Sequence, residues 1–587
     1  MLGNSSVVDY DGGRIFFQSF LLRRGTLDYL PTSLGDTRLA ARRGPFKWLQ
    51  RAFIILCIAG AILIGLLQIK APKSADLNAP PEDFSATLAM KQLEIIAEDP
   101  HPVGSAAHDT VRDYLMSELK GLGLTPEIHK SQAVLNGAGM VNLENIVTRI
   151  PGTANTKPVM IAAHYDSVPA APGAADDGAA IAAMLETVRA LQTAGPLKND
   201  LILLMTDGEE LGLTGARAFM AEHPWAGEPG LVLNFEARGN RGPSFMFETS
   251  DRNGWLISEF IKAAPNPIGY SLIYNVYKLM PNDTDMTVFK EGGLAGLNFA
   301  FGMGANAYHD ELDTPENLDQ ASLQHHGEYM LSLTRHFGDL NLKDVRQEDA
   351  VYFNIFGWKM VHYPQSWAIW ILAFTVLLYV LTLWHGMSRR KISLKGTLGG
   401  AAIFLLLLGV VYGVAALAWS LVRSGVSREQ LRVIGLDPII SVYWFAGFLA
   451  VTIGIIWLLI RWISRYNHAE NVWSGTLLVW LLLSAATCLY LPGGSYLFVW
   501  PLIFSLIGLN LSMLRRINDS GWTSAIFAAP GFILFTPICY MVFVMMTLMM
   551  AGELMVFATI ALSLVFPVFC TKEQRRKIKQ AVNKSFP

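Results

Sequence analysis

The chain has 587 residues, of which 52% are hydrophobic and 16% charged, with a formal net charge of −2. That balance is too apolar for a wholly soluble protein and gives no basic surface for nucleic acid, so no nucleic-acid partner is expected. The four cysteines, Cys57, Cys488, Cys539 and Cys570, all fall in or beside apolar runs, which excludes a thiol protease and a disulfide-built outer domain.

Residues 1–51 carry Arg42, Arg43, Lys47 and Arg51 with weak periodicity, and are expected to form a cytoplasmic segment, either flexible or lying along the membrane surface. The apolar run at 52–69 is expected to be a retained anchor, because a basic stretch of about fifty residues precedes it and no small-residue cleavage signature follows. Residues 80–345 have globular patterning and make the expected extracytoplasmic domain. Between 366 and 570 come seven more apolar runs, roughly 366–385, 397–421, 438–461, 472–491, 496–514, 526–549 and 553–570. Each approaches the ~20 residues that cross a ~30 Å hydrocarbon core, which gives eight spans with the first. If the first basic cluster is cytoplasmic, then Arg389-Arg390-Lys391, Arg461 and Arg465, Arg515-Arg516 and the basic tail 571–587 fall on the same side. Both termini are then cytoplasmic. The 80–345 domain faces the periplasm or exterior in a bacterium, or a lumen in a eukaryote.

Inside that domain, three strand-like runs each end in a polar cluster. Pro158 to Ala163 lead into His164 and Asp166; a Pro-, Ala- and Gly-rich loop then reaches Asp176-Asp177-Gly178 and the run AAIAAMLETVRALQ, whose spacing predicts a helix. DLILLMT ends in Asp207-Gly208-Glu209-Glu210, LVLNF ends in Glu236, and His309 arrives from a later loop, GANAYHDELDT. The expected fold is α/β, with a mostly parallel central sheet flanked by helices, plus an α-helical membrane part of about eight spans. In such sheets ligands collect beyond the carboxyl ends of the strands, so these clusters converge.

The residue types suit a paired-metal hydrolase. Zinc takes imidazole nitrogen and carboxylate oxygen and, in catalytic sites, keeps a position open for water. Two ions can share a hydroxide and clamp the attacking and developing oxygens, with a bridging carboxylate as spacer, a part Asp176 fits. Of the adjacent glutamates, Glu210 would bind metal and Glu209 would act as general base. Asp166, two residues beyond His164, is expected to hold the second nitrogen of that imidazole.

The motifs HYDS at 164–167, ADDG at 175–178, DGEELGLTGARAF at 207–219, NFEARG at 234–239 and YHDELDT at 308–314 resemble the co-catalytic di-zinc exopeptidase family of aminopeptidases and glutamate carboxypeptidase. The likeness runs from about Pro80 to Leu340, and is strongest to the multi-spanning branch of endoplasmic reticulum and vacuolar membrane proteases. It implies two zinc ions per chain and a peptide substrate. By residue, it makes Asp176 the bridge, His164 and Glu236 ligands of one ion, Glu210 and His309 ligands of the other, and Glu209 the base. Glu236 departs from the Asp usual in the soluble aminopeptidases. The resemblance favours aminopeptidase over carboxypeptidase activity. Its weaker candidates for substrate contact are Arg238, Asp283, Asp285 and Tyr308.

Each motif also has a plainer reading. A His beside an Asp is commonly a buried bonded pair, Asp-Asp-Gly before a helix is commonly an N-cap, and paired glutamates are usually a solvated face. Their joint occurrence, in order and at strand ends, favours the metal site. Arg238 reads more readily as a structural ion pair, and Asp283 and Asp285 equally well as a polar turn. His101, His325 and His326 read as structural or exposed. Two other classes compete: a nicastrin-like scaffold, against which the intact ligands and Glu209 stand, and a glutaminyl-cyclase-like acyltransferase, whose members usually carry Ser where Asp177 stands. The membrane half, whose cores are nearly free of ionisable groups, suggests packing and lipid contact more than transport. The oligomeric state is left open.

Overall fold

The computed structural model describes residues 44–73, 80–135, 139–357, 359–463, 467–514 and 520–569. Arg42, Arg43, Arg465, Arg515, Arg516, Cys570 and the 571–587 tail lie outside the described residues. A helix α1 (Gly44–Leu67) contains the first apolar run up to Leu67.

The domain that follows is built on seven strands: β1 (Glu127–Leu135), β2 (Gly139–Ile150), β3 (Val159–His164), β4 (Leu201–Thr206), β5 (Leu231–Ala237), β6 (Phe245–Thr249) and β7 (Gly296–Phe301). Their order is β1-β2-β4-β3-β5-β7-β6. The central four, β4, β3, β5 and β7, run parallel, while β2 and β6 join antiparallel on either side and β1 pairs antiparallel with β2. Every residue of β3, β4, β5 and β7 is buried. This is why these strands read as unbroken apolar runs: both faces are covered.

The two covering layers divide the residues of β3 between them. Ile161 and Ala163 face a core made with α2 (Ala86–Ile96), α3 (Ala106–Gly121), α4 (Ala179–Ala194) and a later helix, Gln320–Gly338. Met160 and Ala162 face a smaller core with α5 (Thr214–Glu222) and the helix Asp285–Glu291. Alternation at period two thus sets which layer each side chain joins. After β6 come α6 (Gly254–Ala263), α7 (Ser271–Tyr277), α8 (Asp285–Glu291) and, beyond β7, α9 (Gln320–Gly338).

Residues 350–364 form a hairpin, β8 (Ala350–Phe356) and β9 (Lys359–Pro364), ahead of the membrane helices. The hairpin is absent from the sequence expectation because its aromatic, apolar residues merge with the runs that follow. It joins the two halves of the molecule. Val351, Phe353 and Tyr363 share one apolar cluster with Tyr270 and Ile273 of the sheet domain and with Trp473, Tyr496 and Phe535 of the membrane helices. The Phe353 and Tyr496 rings stack at 4.4 Å. The Ser271 hydroxyl donates to the carbonyl of Gly493 at 2.6 Å and accepts from the backbone N–H of Tyr352 at 3.0 Å.

The membrane part comprises α10 (Trp367–Ser388), α11 (Leu394–Gly425), the short α12 (Arg428–Leu436), α13 (Ile440–Ile463), α14 (Ala469–Tyr490), α15 (Tyr496–Ser512), α16 (Ser520–Met546), α17 (Ala551–Ser563) and α18 (Phe566–Phe569). Among the described residues, six helices are long and apolar enough to cross a bilayer, and α15 is a shorter apolar one. Two of the eight expected spans differ from this count: the 496–514 run forms the shorter α15, and the last two runs form α16 and α17, counted together as Thr523–Ser563. A short turn at 547–550 breaks it. The chain doubles back there: a Cβ on Gly531 of α16 would stand 2.3 Å from Leu564 beyond α17. Cys57, Cys488 and Cys539 are free thiols.

Candidate metal centre

His164 ends β3, Glu209 and Glu210 follow β4, and Glu236 lies near the end of β5, so three adjacent parallel strands deliver four of the expected residues to one edge. The turn after β4 is set by Gly208, whose φ of 70° suits glycine; a Cβ there would stand 2.4 Å from the Thr214 hydroxyl. Asp176 comes from the turn Ala174–Gly178 ahead of α4, and His309 from the loop after β7. His309 itself holds a left-handed φ of 55°, a conformation that costs a non-glycine residue energy and recurs at functional sites.

Asp176 stands between two histidines. Its Oδ1 lies 3.3 Å from His164 Nε2 and its Oδ2 lies 3.1 Å from His309 Nε2. Glu236 approaches the His164 side at 3.9 Å, and Glu210 the His309 side at 3.0 Å. Two groups, His164–Asp176–Glu236 and Asp176–Glu210–His309, could each hold a metal ion, with Asp176 common to both; His164, Glu209 and Glu210 form a third such group.

The electrostatics fit a cation. Burial pushes the carboxyls of Glu236, Glu209 and Asp177 well above the usual range, reinforced by neighbouring carboxylates. Glu210 is raised for the same first reason. Burial alone would raise Asp176 too, but its bonds to His164 and His309 hold it low. Those imidazoles respond in turn: against burial, Asp166 and Asp176 lift His164 well above its usual value, and Asp176 and Glu210 carry His309 up to about 10. Six carboxylates thus crowd two imidazoles, and Oδ1 of Asp177 has no hydrogen-bond partner. Desolvated negative charge of this density is offset by bound metal more readily than by protons alone.

The supporting bonds differ in part from expectation. His164 Nδ1 meets the backbone oxygen of Asp166 at 3.0 Å, nearer than its carboxylate at 3.5 Å. The Asp166 carboxylate instead accepts the backbone N–H groups of Glu209 and Glu210, at 3.1 and 3.3 Å. One side chain therefore ties the ends of β3 and β4 together. Two supports escaped the sequence reading. Asp313 accepts from the N–H groups of Ala175 and Asp176, at 2.8 and 3.2 Å, and burial raises it to about 7. Asp207, buried, bonds His108 Nε2 at 2.9 Å and the Glu144 N–H at 2.8 Å, fixing the start of the Glu209 turn. Asp313 was within reach of the sequence, as the last acid of YHDELDT. The His108–Asp207 pair lies 99 residues apart and carries no local signal.

A cavity opens beside the cluster, lined by Asp176, Glu209, Glu236, Arg238, Asp283 and Tyr308 among others. The Arg238 guanidinium lies 5.2 Å over the Tyr308 ring, and that ring stacks on His309 at 3.8 Å. No ion pair to Arg238 occurs among the described residues, contrary to the structural pairing expected; the guanidinium lies over an aromatic face instead. Asp285 does not line the cavity. It is buried beneath the site and accepts the Thr206 hydroxyl, and burial lifts it to about 6. Outside the cluster, Arg432 of α12 pairs with Asp310, the neighbour of His309.

His101, His325 and His326 are all buried. Burial lowers His325 to about 4 and His326 to about 3, the latter wedged edge-on against Phe235 and Phe301. An unfolded histidine titrates near 6.5, so below that pH the unfolded chain binds protons that these two refuse. Their contribution is present above pH ~6.5 and is lost as pH falls towards 4 and 3, at about 1.4 kcal/mol per pH unit for each. Thermal melting between pH 7.5 and 5 is expected to show a smaller loss of stability on acidification in His326→Gln than in wild type. An unchanged slope in that variant would contradict the assignment.

A carboxylate- and imidazole-rich cluster, with residues that could hold metal ions, thus stands at the carboxyl ends of a parallel sheet. Residues 145–334 match the model of peptidase family M28, in a chain that also has six helices long and apolar enough to cross a membrane among its described residues. Its relatives include endoplasmic reticulum metallopeptidase 1 of Mus musculus, 25% identical over 386 residues, covering 61% of this chain and 42% of that protein. The vacuolar membrane protease of Eremothecium gossypii is 30% identical over 346 residues, covering 52% and 34%. The match thus spans less than half the length of these relatives. Among solved structures, a glutaminyl cyclase of Porphyromonas gingivalis is similar at 18% identity and a TM-score of 0.35, over 42% of this chain and 96% of its own.

Proposed function

We propose that the protein is a membrane-anchored exopeptidase that holds two zinc ions and trims single residues, from the amino terminus, off short peptides outside the cytoplasm. The observation that carries this reading is Asp176, whose two oxygens face separate imidazoles, each with its own glutamate. In this reading His164 and Glu236 hold one ion, Glu210 and His309 the other, and Asp176 both.

Bound zinc would supply Lewis acidity, polarising the scissile carbonyl and making water more acidic. Glu209 takes the proton from the attacking water and passes it to the leaving amine. Burial raises its carboxyl above the usual range, the direction that makes a carboxylate a stronger base. Asp166 and Asp313 fix the backbone from which Glu209, Glu210 and Asp176 project. Asp283, exposed at the cavity lining, is the carboxylate available to meet a substrate amino group, which supports aminopeptidase polarity. The Arg238–Tyr308 pair flanks the peptide backbone.

The intact ligand set and Glu209 speak against a scaffold. The test is a mixed peptide library incubated with detergent-purified protein, with and without chelator, and followed by mass spectrometry. Loss of single amino-terminal residues, abolished by chelation, is expected. Loss from the carboxyl terminus would reverse the polarity, and cyclised amino termini without hydrolysis would overturn the peptidase reading in favour of acyl transfer.

A further inference from the structure

The cavity that starts at Asp176, Glu209 and Glu236 does not end inside the peptidase domain. Its far wall is Ile69, two residues past α1, with Tyr540, Met541, Val544 and Met545 on the last turns of α16. Phe247 and Ile273 face them from the domain. Ile69, Phe247, Ile273 and Met541 all belong to the apolar cluster that welds the two halves together, so the wall is part of a packed core. The charged lining is confined to the metal cluster, Arg238 and Asp283.

Size and chemistry then narrow the occupant. The cavity measures about 120 Å³, comparable to the ~150 Å³ that admits a benzene ring. That space suits one large aliphatic or aromatic side chain. Ile69 follows, and residues 540–545 lie within, helices long and apolar enough to cross a bilayer. With those helices spanning a bilayer, a peptide whose side chain rests at their domain-facing ends would lie near the membrane surface, where large apolar residues themselves partition.

We propose that the membrane helices supply the specificity wall of the active site, so that the enzyme selects amphiphilic peptides carrying a bulky apolar residue beside the scissile bond. The inference rests on the peptidase reading above. It assigns α16 a direct part in substrate choice, and makes Val544 and Met541 specificity-determining residues.

The test uses the full chain in detergent. Peptides with Leu or Phe at the cleaved residue are compared with Ala counterparts in wild type, Val544→Trp and Val544→Ala. Filling the cavity is expected to lower the Leu-to-Ala ratio of kcat/KM by about tenfold to a hundredfold, the range a hydrophobic pocket discriminates. Enlarging it is expected to raise the Phe-to-Leu ratio. Ratios that stay constant across all three proteins overturn the proposal. A second readout needs no turnover: a dipeptide bearing a diazirine-modified leucine is photolysed with the wild-type protein and the label is mapped. Label at Ile69 or residues 540–545 supports the wall even if no peptide is cleaved, an outcome that would sink the peptidase reading alone. Cleavage with label found only elsewhere sinks the wall and keeps the peptidase.

Discussion

Replacing Glu209 with Gln is expected to leave bound metal unchanged and to lower turnover about 10²–10⁴-fold, the usual cost of removing a general base. Glu209 belongs to neither of the two groups that share Asp176. Its position is fixed through the backbone, by the Asp166 carboxylate on its N–H, which the substitution does not touch. Gln keeps the shape, removes the charge and cannot take a proton. The check is kcat beside metal content in the same preparation. Unchanged turnover would remove Glu209 from the mechanism, and loss of metal would make it a ligand.

Replacing Asp176 with Ala is expected to remove metal and activity together. Both groups lose a carboxylate oxygen, and His164 and His309 each lose a close partner, at 3.3 and 3.1 Å. Each remaining half-site keeps one imidazole and one carboxylate, too few for the three protein ligands of a catalytic zinc. Metal analysis after gel filtration measures the effect. A variant that still carries two zinc ions per chain would refute the shared role of Asp176.

Much of this centre was legible in the sequence because its residues sit at the ends of fully buried strands. A run such as Val159 to Ala163 can be read from composition alone, and the strand end fixes where His164 points. What the sequence could not give were contacts that cross the fold. The Asp166 carboxylate reaches the N–H groups of Glu209 and Glu210, and Asp207 reaches His108, through sheet pairing that local pattern does not encode. Arg238 illustrates the opposite error: a charge in a polar motif reads as an ion pair, whereas the fold sets it over Tyr308 at the cavity. In the membrane half, apolar composition located the helices but not their breaks, so the turn at 547–550 and the β8–β9 hairpin passed unseen. That hairpin matters most, since it docks the sheet domain onto the helices that help line its cavity.

Metal dependence is the claim on which the rest stands. The most direct measurement is a zinc titration of chelator-stripped, desalted protein, with the rate of hydrolysis of a leucyl peptide followed at each addition. Two ions sharing Asp176 predict no activity in the stripped protein and a rate that climbs to a break at two equivalents per chain. A break at one equivalent, or hydrolysis that survives stripping, would contradict the paired centre.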